Sequence, residues 1–253
     1  MEQILGNNKV KSVDLDKNGR ILLGTGPYEY FCYVAKKNTE VVFDELSSFT
    51  LYLLEADDIT QISIQNVNEK LNVGDGIQFE NEIADIKILN GSASFLIAGT
   101  KKSHPNKKGI FFSKSSDLYR VDKPWGHELW INGEHPCYAF KGIFVKASTK
   151  TSLQYHNIKQ ETIVLFEGEA LLYYKKNASV PNDDVTSNDL GNIKLVPISS
   201  NDVHPGTIHR LEALTDIMLF ETSTPHLDDV VRISDDSNRK DGRVDSEHIS
   251  SKS

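Results

Sequence analysis

Short apolar or alternating runs recur along the whole chain, separated by clusters of Gly, Asn, Asp, Ser and Pro. The first series is YEYFCYVA, EVVFDEL, TLYLLEA, ITQISIQNV, DIKIL and SASFLIAG; the second is CYAFKGIFVKA, TIVLFEG, ALLYY, IKLVPI and DIMLFETST. A period of two puts apolar side chains on one face of a strand, and few segments carry the 3.6-residue period of a helix. Many short strands punctuated by turn residues predict an all-β fold, an antiparallel sandwich or barrel.

The two series also run in the same order. KLNVGDGIQFENEIADIKILNGSASFLIAGT (70–100) has the rhythm of KLVPISSNDVHPGTIHRLEALTDIMLFETST (194–224), each reading as strand, Gly-containing turn, strand and final apolar strand. This predicts a duplicated β-unit, one copy over 1–110 and one over 118–236. The polar, Lys/Ser-rich stretch 101–117 is the expected join, and 175–192 the expected long loop. The almost wholly polar segment 237–253 is predicted to be a disordered tail.

Composition narrows the partners. With 36 acidic against 28 basic residues, the formal net charge is −8. Nucleic acid as the main partner is therefore not expected, because phosphate neutralisation needs clustered Lys and Arg. No run approaches the roughly 20 apolar residues of a membrane span, and the N-terminal residues do not read as a signal peptide. A cytoplasmic protein with no membrane partner is the expectation. Two cysteines, Cys32 and Cys137, are too few for a disulfide framework.

The chemistry concentrates in SLQYHNIKQETIVLFEG (152–168) and HPGTIHRLE (204–212). Ser152, Gln154 and His156 alternate along one strand face, with Lys150 at the same parity. Glu161 opens the next strand, and His209 follows a Pro-Gly turn. Amide, imidazole and carboxylate groups at these intervals are either polar residues of a wet sheet face or ligands of one metal ion.

This spacing resembles the two motifs of the cupin family. His156, four residues, Glu161, six residues and Gly168 match the first motif, with Gln154 in place of its first histidine. Gly206 to His209 match the second, with Pro205 one place late and Ala213 in place of the closing Asn. The chain is more specifically similar to the type II phosphomannose isomerases over roughly residues 121–239. The matching elements are Lys123-Pro124-Trp125-Gly126, the Ser152 to His156 segment, Gly206 to Glu212, and Asp228 to Asp235. Those enzymes usually carry three consecutive histidines, whereas Asn157 and Ile158 follow His156 here.

The resemblance implies a bicupin, two β-jelly-roll units of which 1–110 is degenerate and lacks a metal site. The second unit would hold one divalent transition metal (Zn, Mn, Fe, Co or Ni) through Gln154, His156, Glu161 and His209. With a single anionic ligand such an ion stays Lewis-acidic. The implied activity is aldose–ketose isomerisation of a sugar or sugar phosphate, by a homodimer. Lys150 and Glu212 are the catalytic candidates, and Ser152 and Arg210 the substrate contacts. Lys150 could instead hold a substrate phosphate, and Arg210 could form an ion pair with Glu212. Two other readings share the ligand set: a non-catalytic sugar-binding or regulatory metal cupin, and an iron-dependent dioxygenase. His104, His135, His226 and His248 read as surface or core residues, Trp125 and Trp130 as core aromatics, and Asp228–Asp236 as a solvated face.

Overall fold

The computed structural model describes residues 4–5, 8–9, 20–65, 67, 70–176, 185 and 189–249. Each apolar run of the sequence coincides with a strand. The chain divides into two compact units: an N-terminal one, which includes 20–118 and 131–140, and a C-terminal one, which includes 119–130 and 141–249.

In the N-terminal unit, a six-stranded antiparallel sheet runs Gly109–Ser113, Gly76–Glu80, Ser48–Ala56, Ser92–Thr100, Glu29–Lys36 and Arg20–Thr25; a three-stranded sheet runs Glu40–Phe43, Ala84–Asn90 and Gln61–Ile64. Phe49, Leu51, Ile77, Phe79, Phe95 and Ile97 project from one face of the larger sheet and pack with Ile86 and Ile88 of the smaller. Alternation explains the other face. Ser48, Thr50, Gln78 and Glu80 point away from that core, and there the buried polar groups of this unit collect.

In the C-terminal unit, a six-stranded antiparallel sheet runs Tyr119–Lys123, Gly126–Asn132, Ala139–Val145, Ile217–Ser223, Glu161–Glu167 and Ser199–Val203. A five-stranded sheet runs Gly191–Leu195, Ala170–Lys175, Ile208–Ala213, Leu153–Tyr155 and Val231–Ser234. One apolar cluster draws Ile143, Ile163, Leu165 and Leu219 from the first sheet and Leu172, Leu195, Leu211 and Ala213 from the second. This is a sandwich core. Glu161 shares the parity of Ile163 and Leu165, and His209 that of Leu211 and Ala213. Two polar side chains thus enter the interior at one end of otherwise apolar strand faces. Gly168 closes the strand after Glu161 with φ +83°, and a Cβ there would lie 2.3 Å from the Asp216 carbonyl oxygen, so only glycine fits this turn.

The segment from 237 onward departs from the expectation of disorder. Residues 237–249 carry a short helix, Asp245–Ile249. Arg239 pairs with Asp235 at 2.7 Å, and Glu247 with Lys123 at 2.8 Å. Polar composition hides these contacts because they are ion pairs, not apolar packing. Among the described residues, no helix is long and apolar enough to cross a membrane.

Candidate functional site

Gln154 stands directly opposite His209 in the pairing of Leu153–Tyr155 with Ile208–Ala213, so both side chains leave the same face. His156 follows two places on, 1% exposed, and Glu161 is 2% exposed. Ligand atoms of His156, Glu161 and His209 all lie within 4.8 Å of one another. His209 Nε2 is 3.1 Å from Glu161 Oε1, and His156 Nε2 is 3.5 Å from Glu161 Oε2.

The tautomers are set by the backbone. His209 Nδ1 meets the Thr207 carbonyl at 3.0 Å, and His156 Nδ1 meets the Asp229 carbonyl. A carbonyl only accepts, so each Nδ1 carries a proton, and in the neutral form of each ring the Nε2 lone pair faces Glu161. The buried His156 Nε2 has no hydrogen-bond partner. In the neutral form two imidazole lone pairs and a carboxylate converge. That arrangement suits a cation, and an Nδ1–H bonded to a carbonyl is the usual support of a metal-ligating histidine. The residues present fit one divalent metal ion.

Lys159 supplies a second feature that the motif reading omits. It is 5% exposed, and its ammonium sits 2.5 Å from Glu161 Oε2 and 2.8 Å from Glu221 Oε1. Burial alone would lower the lysine pKa, but the two carboxylates hold it well above its ordinary value. Burial likewise opposes ionisation of Glu161, yet the Lys159 ammonium keeps it well below the usual carboxylate range. The loop bearing Lys159 is clamped by Asp229, whose carboxylate accepts from the backbone N–H groups of Asn157, Ile158 and Lys159 at 3.1, 2.6 and 2.8 Å. Burial raises the Asp229 pKa, but these donors more than offset it and hold it low. Asp229, half-buried, thus commits its carboxylate to this loop.

All these groups except His156 and Asp229 line one cavity of about 120 Å³ within the C-terminal unit. Its floor includes Trp125, Ile163, Leu211 and Leu219, and its remaining wall is rich in cations: Lys123, Lys141, Arg232, Arg239 and Arg243. Ser152, also in the lining, accepts from Arg232 Nε at 3.1 Å and Arg239 Nη2 at 2.8 Å, and donates to Asp235 at 2.7 Å. The Arg239 and Ser152 contacts hold the Asp235 carboxyl far below its usual range although burial works against them.

Gln154, His156, Glu161 and His209 are thus brought together, with Ser152 in the same cavity. Lys150, Glu212 and Arg210 are not part of its lining. Lys150 bridges to Glu212 whereas Gln154 pairs with His209, so the register slips by one residue between them. A one-residue bulge exchanges the two faces of a strand. Lys150 therefore leaves on the outer face, 3.2 Å from Glu212, which also accepts from the Tyr173 hydroxyl at 2.7 Å. Arg210 shares that outer parity, donates to the Thr151 carbonyl and pairs with Asp236 at 2.9 Å.

The fold is that of the cupin β-jelly-roll in a bicupin arrangement. Solved structures similar to this chain include a Bacillus subtilis oxalate decarboxylase described for its Mn(II) centres (12% identity, 77% of this chain and 68% of that one, TM-score 0.57). A salicylate 1,2-dioxygenase variant from Pseudoaminobacter salicylatoxidans is also similar (10%, 78% and 71%, TM-score 0.51). So is procruciferin, an 11S globulin from Brassica napus (9%, 78% and 76%, TM-score 0.55). No protein-family model and no curated protein matches the chain. At these identities the likeness is one of fold, and it embraces enzymes and a globulin alike.

Proposed function

We propose that this chain is a metal-dependent aldose–ketose isomerase acting on a sugar or sugar phosphate. The observation that carries the reading is the meeting of a metal-fitting donor set, of which Gln154, Glu161 and His209 line the cavity, with the buried Lys159–Glu221 pair in the same lining. Gln154, His156, Glu161 and His209 would hold the ion, which when bound supplies Lewis acidity to neighbouring sugar oxygens. Glu221 is the carboxylate placed to take a proton from one sugar carbon and return it to the next. Lys159, kept protonated by its two carboxylates, donates to a sugar oxygen and holds Glu221 in place. The apolar floor of Ile163, Leu211 and Leu219 limits water around the transferring proton. Lys150 and Glu212 take no part in this scheme because of where the bulge puts them.

A second reading, a sugar-binding cupin without turnover, is favoured by one contact. The Lys159 ammonium is held by both Glu161 and Glu221, so the carboxylate that would act as base is already engaged. A screen of hexose, pentose and heptose phosphates and their unphosphorylated counterparts separates the two. Proton exchange with solvent at C1 or C2, abolished by Glu221→Gln, supports the isomerase. Sugar binding without exchange by metal-loaded protein supports the second reading.

A further inference from the structure

The cavity of the C-terminal unit holds more positive charge than its carboxylates match. Lys123 is neutralised by Glu247 at 2.8 Å and Glu128 at 3.6 Å, Lys141 by Glu128 at 3.4 Å, and Arg239 by Asp235 at 2.7 Å. Among the described residues, Arg232 and Arg243 make no such pair. Arg232 donates to Ser152 and to the Lys240 and Gly242 carbonyls, and Arg243 donates to His248 Nδ1 at 3.0 Å. Lys141 shares Glu128 with Lys123 and with the Trp130 N–H.

Trp130 organises the surplus. The Lys141 ammonium lies 4.7 Å and the Arg243 guanidinium carbon 5.2 Å from the centre of its ring, while its own N–H is tied to Glu128 at 2.9 Å. His248, 5.4 Å from the same ring, accepts from Arg243 at Nδ1 and in its neutral form carries its proton on Nε2. Two neighbours register the local potential. Burial and then the Arg243 charge push His248 below its ordinary pKa, and burial and then Arg239 lower that of Arg232.

We propose that Arg243, Lys141 and Arg232 form an anion subsite of this cavity, which takes the negatively charged substituent, phosphate monoester or carboxylate, of the bound molecule. Guanidinium groups meet either anion with two parallel N–H bonds. The cation–π contacts hold the Lys141 and Arg243 stems in place beforehand. Arg243 and His248 lie beyond residue 239, outside the stretch that resembles the isomerases. The inference rests on the isomerase reading only in taking the bound molecule to be a sugar.

The test is calorimetric titration of the full chain, chelator-stripped and metal-loaded, with inorganic phosphate and with glucuronate. Expected is anion binding by the stripped protein, weakened about tenfold by Arg243→Gln or Lys141→Met, the loss of one charge-assisted contact. Lys150→Met should bind as the wild type does. Preference for phosphate identifies a phosphate monoester, and preference for glucuronate a carboxylate. Arg243 is exposed, so its variant keeps the fold. Absence of binding to either anion, or Arg243→Gln and Lys141→Met variants that bind as wild type, overturns the subsite and leaves the isomerase reading standing. Anion binding by a chain that isomerises no sugar sinks only the isomerase.

Discussion

Each unit buries a histidine–glutamate cluster, and the two clusters are opposite in chemistry. In the N-terminal unit, His135 Nε2 lies 3.2 Å from Glu80 Oε1, and the His104 ring is 5.1 Å from that of His135. There the Cys137 amide donates to His135 Nδ1 and the Asn106 amide to His104 Nδ1, both at 3.1 Å. An Nδ1 that accepts leaves the proton on Nε2, so His135 faces Glu80 as a donor. In the C-terminal unit, carbonyls hold the Nδ1 protons and the Nε2 lone pairs face Glu161. Identical residue types thus turn Nε2–H groups toward the carboxylate in one place and, in the neutral form, Nε2 lone pairs in the other. The backbone group behind the ring, an N–H or a C=O, decides which.

The sharpest way to break this comparison is Lys159→Met. Without the ammonium, Glu161 and Glu221 are left buried with uncompensated charge, and metal-free protein should lose about 3–5 kcal/mol of stability. Divalent metal should restore a large part of it, because the ion supplies charge to Glu161. Equal thermal stability of variant and wild type in chelator would show that the pair of carboxylates needs no cation.

Asp229→Ala comes next. It removes the acceptor of three backbone N–H groups and frees the loop on which His156 and Lys159 sit. A loss of about 2–3 kcal/mol in urea denaturation is expected, together with weaker metal retention. An unchanged midpoint would mean that solvent replaces the clamp without cost.

The smallest effect concerns pH. Burial lowers the His135 pKa despite the pull of Glu80. The folded unit then binds fewer protons than the unfolded chain below about pH 6.5. The contribution of His135 is complete above that value and falls as the pH drops toward its folded pKa, by at most about 1.4 kcal/mol per pH unit. Comparing wild type with His135→Gln at pH 7.5 and 5.5 isolates it. A variant with the same pH slope would contradict the lowering of the His135 pKa by burial.

Much of this was legible in the sequence, for specific reasons. The strands announce themselves by period two. Glu161 and His209 sit at the inward parity of apolar strands, so their motif spacing carries directly into space. Lys150 defeats the same rule, because one bulge between it and Gln154 reverses the faces and no residue type marks the slip. Lys159 did leave a signal, two places before Glu161 on the same side, though a lysine beside a loop reads equally well as solvated. The wall built by Arg232, Arg239, Arg243 and His248 could not be read. Its contacts are hydrogen bonds, ring contacts and ion pairs made largely by a polar segment, and composition describes such a segment as disordered.

On this reading the Nδ1–H bonds to backbone carbonyls, not the residue types, make the C-terminal cluster the candidate metal site. Metal analysis of purified full-length protein tests it most directly, comparing wild type with the His156→Ala/His209→Ala and His104→Ala/His135→Ala double variants. The account predicts close to one divalent transition metal per chain in the wild type and in the His104/His135 variant, and none in the His156/His209 variant. Equal metal content in wild type and the His156/His209 variant, or loss of metal on changing His104 and His135, would contradict it.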